Sequence, residues 1–532
     1  MKKVLLFALI IAALGAFSQV KSKKVDIKMG EDQKVSRKLM MDDIIGKDGK
    51  SIYALKIKYG GVFGSSYFLL EKYNNSMNLE KSAKMELVFE KNKMSFEYIV
   101  QFHDEFYVFS SYKNQKAEKN YLFVQSVNKS NLTLNNDLVK IAEIDYSSGS
   151  KRNSGSFGFD ISPDSSHFMV FCNMPYEKTE DEKVGYFVFD GDMKKVWDKT
   201  IKIPHRDKLF SVHEYTVDNL GNVYLLGVLY KDIVKEKRHG EPNYTYQIVS
   251  ITDKGSNITE YPVQLPDKFL TDMKFAINHD NDIICAGFYS QTGTFSIAGS
   301  YFLKIDPITK NIKSKSFKEF GIDFITQNLT ERAEKKVKKK AAKGKNVELY
   351  EYDLDDLIIK PDGGAMLIGE QYYVRVVTTT STDSRGNTTT RTTYYYYYND
   401  IIVININSNG EIVWTEKIAK RQVTTNDGGF FSSYTKAIVG DKVYFVFNDN
   451  PLNLNYSGTG KVMPFTGGGG KKSLAVLVEL SSDGKQKREA LFNAKEAKII
   501  TRAKVCEQTG PKELILFGQY GKKQRFMKVT FK

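Results

Sequence analysis

The chain has six histidines, His103, His167, His205, His213, His239 and His279. None stands in an HExxH spacing or pairs with a nearby cysteine, so the common zinc arrangements find no ligands here. No GxSxG elbow presents a serine nucleophile. SGTGK (457–461) and TGGGGKKS (466–473) resemble a phosphate loop, but neither has a glycine five residues before its GK. The SLAVLVEL that follows reads as a strand where phosphate binding needs a helix N-terminus. The region from Asn450 to Lys472 is accordingly read as a flexible loop. Cys172, Cys285 and Cys506 lie in or beside the apolar runs MVFCNM, IICAGF and AKVCEQ, which suits buried free thiols better than a disulfide framework. Only Cys506, two residues after Lys504, has the basic neighbour of a reactive thiol.

Carboxylates offer more. His213, Glu214, Asp272, Asp353, Asp355 and Arg502 fall on segments expected to line a central channel. Two carboxylates facing across such a channel could act as acid and base, or could hold a structural calcium ion with loop carbonyls. The turns HDND (279–282) and FDGD (189–192) also carry calcium-type ligands, without the further spaced carboxylates of a specific match. No catalytic residue and no metal ligand is assigned, and calcium is the one cofactor under consideration.

The elements that must position these residues form a repeat. Eight times a turn-like polar cluster gives way to an apolar run, as in DNLGNVYLLGVLY (218–230) and NHDNDIICAGFYS (278–290). A second run follows, starting at Tyr67, Tyr121, Tyr186, Tyr246, Tyr301, Ile401, Leu474 and Phe526. Short apolar runs bounded by Gly, Asp and Asn are strands and turns, and their recurrence means one unit repeated. Trp197 and Trp414 occupy matching places in KKVWDKT and EIVWTEK, which supports the alignment. The expected fold is all-β, a propeller of four-stranded blades with eight favoured and seven as the fallback. A string of β-sandwiches is the rival. The last copy stops at RFMKVTFK without an outer strand, while KKVDIKMG (23–30) is a strand without a sheet, and a ring needs such a piece to seal its open edge.

Two insertions break the rhythm. TQNLTERAEKKVKKKAAKGKN (326–346) reads as an exposed helix or partly ordered loop, and Lys336, Lys339 and Lys340 make it a basic patch for an anionic surface. GEQYYVRVVTTTSTDSRGNTTTRTTYYYYYNDIIVININ (369–407) reads as two long strands joined around Asp383–Asn387. Its tyrosines, Tyr372, Tyr373, Tyr394, Tyr396 and Tyr398 among them, suit an adhesive contact surface; alternate rings packed down on neighbouring loops is the other reading.

Lys2 and Lys3, an apolar stretch from Val4 to Phe17 and small residues before Gln19 make Met1–Ser18 a secretory signal. Residues 19–532 are then expected as one exported propeller domain, periplasmic, secreted or on the cell surface. No later stretch is long and apolar enough to span a bilayer. A formal charge of +15 favours acidic partners. Export argues against nucleic acid and leaves an anionic polysaccharide, lipid headgroups or an envelope protein. Oligomeric state is not legible.

DLDDLIIKPDGGAMLIGEQYYV and, after the insertion, YYYYYNDIIVININSNGEIVWTEKIAKRQ resemble a stretch recurring in uncharacterised exported bacterial proteins of propeller type. The resemblance spans about residues 350–422. It implies an envelope or secreted context and brings no catalytic residues. The expectation is a non-enzymatic binding or scaffold protein, with a hydrolase or lyase site built from several blades, or attachment to anionic glycan or lipid by charge, as alternatives.

Overall fold

The computed structural model describes residues 22–532 apart from 37, 61–65, 147–152, 266–267, 295, 459 and 468–472. The expected signal Met1–Ser18 and part of the glycine-rich loop lie outside the described residues. Strands dominate. Among the described residues there are, in chain order, eight sheets of four or more strands, all antiparallel. Their first strands are Leu39–Asp48, Ser95–Phe102, Ser156–Ile161, Phe210–Val217, Phe269–Ile277, Tyr352–Ile359 and Tyr434–Val439, with the pieces Ile500–Thr501 and Glu507–Gly510 in the eighth. All eight second-run starts fall on the third strand of a sheet.

Side chains between the sheets explain why they stack. Tyr53 and Leu55 of the first sheet meet Phe106 and Phe123 of the second, and Phe102 and Phe109 meet Phe168 and Val170 of the third. The pattern continues sheet by sheet to the eighth, where Phe517 and Phe526 pack on Ile52 and Tyr73 of the first. Each such side chain removed from water contributes about 1.5–3 kcal/mol. Because the last sheet packs on the first, the stack closes on itself as a β-propeller. Trp197 and Trp414 work at these seams, each donating its indole N–H to the next sheet, to Gly221 O at 3.0 Å and Ser482 O at 2.9 Å.

Closure is covalently remote. Val25–Met29 supplies the outer strand of the eighth sheet, running antiparallel to Lys523–Phe531 with Val25 opposite Phe531 and Met29 opposite Met527. The segment expected to seal the ring therefore does so.

Antiparallel meanders sort their connections by length. First-to-second and third-to-fourth strand turns emerge at one end of the ring, and most are short. One is Asn407–Glu411, where Gly410, at φ +84°, sits so close to Ser314 and Phe302 that a Cβ would collide. Second-to-third connections and links between sheets emerge at the other end, where both insertions lie. Their elements are the helices Ile322–Thr326 and Glu331–Ala341 and the hairpin of Ala365–Thr382 with Thr388–Ile406. The expected turn at Asp383–Asn387 joins that hairpin, with Asp383 N donating to Asn387 O at 3.0 Å.

The Asn450–Lys472 reading needs correction. Val462 and Phe465 are buried, Asn453 bonds to Asp449 and to both main-chain groups of Met463, and Val423 N donates to Phe465 O. Buried apolar anchors hold the described part against the body, and their spacing carries no strand or helix period to reveal them. No helix among the described residues is long and apolar enough to cross a membrane.

Candidate functional site

First strands bulge in six of the eight sheets, at Glu97 in the second and Thr509 in the eighth among others. The register shifts between Met41 and Asp43, Val212 and Glu214, Leu270 and Asp272, and Leu354 and Asp356, leaving Asp42, His213, Thr271 and Asp355 as the extra residues. A bulge bends its strand and re-aims a side chain, so these four positions alter the alternation that a regular strand would impose.

The result is a channel wall rich in carboxylates. Loss of solvation raises the carboxyl pKa of Asp42, Asp43, Glu97, Asp160, Glu214, Asp272, Asp353, Asp355 and Glu507, although Asp42, Asp43, Asp353, Asp355 and Glu507 keep exposed surface, so the shifts there are tempered by solvent. Against them stand Lys274 and Lys436 on first strands, and Arg502 and Lys504 between the two first-strand pieces of the eighth sheet. The sequence-predicted channel residues do not converge on one point. Glu214, Asp272, Asp355 and Arg502 instead stitch their sheets to the next, as does Asp160, which the sequence reading did not name. Asp160 accepts from Thr216 Oγ1 and Val217 N, both at 2.9 Å. Glu214 lies 3.7 Å from Lys274. Asp272 Oδ2 accepts from Leu354 N at 2.9 Å while its Oδ1 accepts from its neighbour Met273 N at 2.8 Å. Asp355 Oδ2 accepts from Tyr434 Oη at 2.6 Å. His213 stands edge-on to Tyr246 of its own sheet, and partial loss of solvation lowers its pKa although it keeps exposed surface; Arg502 donates to Met41 O of the first sheet at 3.0 Å. Among the described residues no three His, Cys, Asp or Glu side chains are grouped to hold a metal ion.

Between the sixth, seventh and eighth sheets the wall opens into a cavity of about 450 Å³ lined by Asp355, Asp356, Tyr434, Lys436, Lys504 and Glu507. Burial against the cavity wall pushes the Asp355 carboxyl up to about 6, the Tyr434 bond opposing the rise and Glu370 adding to it. Asp356 is neutralised by Lys436 at 2.6 Å. Lys504 donates to Tyr398 Oη at 2.6 Å with its ammonium 4.2 Å from that ring's centre, and Arg502 lies 4.0 Å over Phe430. Burial lowers both cations, Arg502 to about 10. These cation–π contacts pin the hairpin root, and the link that follows it, onto the sheet that closes the ring.

The root itself is a small sheet. Gln422–Thr425 adds a third strand, pairing Tyr398 with Gln422 through Tyr395 with Thr425. Period-2 alternation then sorts the tyrosines. Tyr398 is buried with Tyr372 against it at 4.6 Å, and on the other face Tyr373 stacks on Tyr397 at 4.4 Å. Tyr396 is half-buried, and Tyr394 is the exposed one of the five proposed contact residues, at 44%. Farther out the hairpin is a two-stranded ribbon. Its hydroxyl bonds are internal, Thr378 with Thr392, Thr380 with Thr390 and Thr382 with Thr388, at 3.1 to 3.3 Å.

Beneath the root lies a second polar cluster, which the sequence reading missed. Lys420, 1% exposed, forms a buried ion pair with Glu370, 4% exposed, and also donates to Tyr398 O at 3.0 Å. Ser433 Oγ donates to the other Glu370 oxygen at 2.7 Å. Nearby, Arg488 pairs with buried Asp449 at 2.8 Å. Lys417 donates to Phe324 O at 2.8 Å, and burial lowers its pKa to about 8 against the pull of Asp400. The visible signal was a charge embedded in an apolar run, Glu370 in LIGEQYY and Lys420 in KIAKRQ. The three thiols are buried, and lack of solvation raises Cys172 and Cys506 to about 12, so Cys506 is not a reactive thiol despite Lys504.

No protein-family model matches this chain, and no curated protein does. Among solved structures it is similar to the β-propeller domain of the Trilobed protease from Pyrococcus furiosus, with 10% identity over 87% of this chain and 98% of that one and a TM-score of 0.35. It is also similar to the WD40 domain of SCAP from fission yeast, with 9% identity over 96% and 98% and a TM-score of 0.36. Prolyl oligopeptidase B from Galerina marginata matches at 10% identity over 77% of this chain and 46% of that one, TM-score 0.33. The ring of sheets rests on this chain's own strand pairing and on the packing of its eighth sheet against its first.

Proposed function

We propose that this chain is an exported, non-enzymatic binding or scaffold protein of the bacterial cell envelope, and that its long-loop end receives the partner through the hairpin. One observation carries this reading. The hairpin is fixed at its root by a third strand, buried Tyr398 and a cation–π contact from Lys504, while Val374, Val376 and Tyr394 are exposed to solvent. A rigid support beneath an exposed surface is how binding elements are built, because little ordering entropy is lost on contact. Replacing residues 375–393 with a short glycine-containing turn should leave thermal unfolding unchanged. Crosslinking and pull-down from intact envelopes should then lose a partner that the full-length protein captures. An identical partner list for both proteins removes the hairpin from consideration, and a large loss of thermal stability makes it structural.

The second reading, a hydrolase or lyase, draws on the cavity beside Asp355. A carboxyl with a pKa near 6 can give and take a proton near neutral pH, and Lys504 and Glu507 flank it. Hydrolysis or elimination on a polysaccharide or peptide panel that disappears in Asp355→Asn supports this reading over the first.

A further inference from the structure

The helix Glu331–Ala341 turns one side to the protein. Ala333, Glu334, Val337 and Ala341 are half-buried, with Val337 against the apolar cluster of the fifth and sixth sheets. At 3.6 residues per turn these positions leave Arg332, Lys335, Lys336, Lys339 and Lys340 along the outer side, and all five are exposed. None has a carboxylate partner among the described residues. Of the acids nearby, Glu334 and Asp323 are engaged by a different lysine, Lys338 at 2.9 Å from both, and Glu331 stands exposed in the first turn, four residues before Lys335.

The outer cations follow one another at spacings of three and four residues, where side chains are neighbours about 5–6 Å apart and like charges destabilise the helix. Other features hold it in place. Thr330 caps the N-terminus, its Oγ1 accepting from Ala333 N at 3.4 Å, and Val337 docks. A ridge of repelling charges, with Glu331 near its N-terminal end only, is a local conflict of the kind that marks functional surfaces.

We infer that this ridge binds a linear acidic polysaccharide laid along the helix axis. A polymer with regularly recurring carboxylates can neutralise cations that succeed one another along a line, and lysine ammonium groups accept such contacts from many directions. The ridge has no outward apolar residue to enter a bilayer and no aromatic ring on which a nucleobase could stack. The site is separate from the hairpin and stands or falls independently of it.

The test compares two charge-matched variants of the full chain. One is Lys336→Gln with Lys339→Gln and Lys340→Gln. The other places three Lys→Gln changes at exposed positions in short turns of the opposite end: Lys50, Lys254 and Lys310. Binding of polygalacturonate is measured by calorimetry, starting at about 50 mM salt and raising it. The wild type and the turn variant should bind alike. The ridge variant should bind about tenfold or more weakly, and its salt dependence should flatten by roughly 0.7 in log–log slope for each cation removed. Its own thermal midpoint should be unchanged or higher, since repulsion is relieved, which separates lost binding from lost folding. Equal losses in both variants would reduce the effect to net charge and overturn the proposal. So would a wild type that ignores polygalacturonate, or a ridge that binds phosphatidylglycerol vesicles or single-stranded DNA instead.

Discussion

The channel wall and the cluster beneath the hairpin root are both polar regions inside the ring, yet they are built on opposite plans. In the buried cluster each sign is matched: Glu370, Asp400 and Asp449 share a small space with Lys417, Lys420 and Arg488, and main-chain groups take up remaining bonds. Along the channel, carboxylates outnumber cations and most meet hydroxyls or main-chain N–H groups rather than charges. The difference follows from access to water. A closed cluster must neutralise itself, because an unpaired ion there costs several kcal/mol. An open channel lets solvent reduce that penalty, so excess charge survives and creates a field along the axis. Closed and balanced is a support; open and unbalanced is available for a ligand.

Removing one member of the buried pair should give the largest effect. Lys420→Met leaves Glu370 with Ser433 and without its ion-pair partner, and should lower stability by about 3–5 kcal/mol. The channel change Asp272→Asn keeps a carbonyl acceptor and should cost about 1 kcal/mol or less. Calorimetric unfolding of the two variants in parallel measures the contrast. Adding Glu370→Met to Lys420→Met should recover much of the loss, since an apolar pair needs no counter-charge. Equal costs for Lys420→Met and Asp272→Asn would erase the distinction between the two regions.

A smaller effect tests the link between them. Lys504→Met removes an ammonium that lies on the Tyr398 ring and donates to its hydroxyl. The expected loss is about 1–2 kcal/mol, confined to the hairpin root. Amide exchange should quicken in Gln422–Thr425 and Tyr395–Tyr398 while the first strand of the third sheet keeps its protection. Uniform loosening of the ring would show that the contact is not local.

How much of this was legible depended on periodicity. Strands announced themselves through repeated apolar runs, so Tyr186, Tyr301 and Leu474 located third strands and KKVDIKMG located the closing strand. The hairpin was visible because Thr and Tyr favour strands and DSRGN favours a turn. Bulges were not visible, because an extra residue such as Asp42 or Asp355 is recognised only opposite its partner strand. The Glu370–Lys420 pair was hidden for a related reason: its members are fifty residues apart and meet only when the sixth sheet folds back on its own link. Alternation also reassigned the tyrosines, since consecutive residues 394–398 must point to two faces and only Tyr394 among the proposed contacts ends in open solvent.

The finest test of the comparison is Asp355. Its pKa is raised to about 6 by partial loss of solvation in the folded protein, from an unfolded value near 3.9, although the residue keeps exposed surface in the channel. Below both values the carboxyl is protonated folded or unfolded, and the stability associated with its protonated form is fully present. As pH rises the unfolded chain ionises first, so that stability is lost between about pH 4 and pH 6. At pH 7 the folded protein therefore carries an ionised group it disfavours. Asp355→Asn keeps an acceptor for Tyr434 and removes the charge, so it should stabilise the protein at pH 7 by about 1 kcal/mol once solvent in the channel is allowed for. The advantage should vanish below about pH 4, and unfolding scans of both proteins across that range measure it. Open, unbalanced charge predicts this sign. A destabilising Asp355→Asn at pH 7 would mean that the carboxylate is paired after all, and that the channel is a support like the cluster beneath the root.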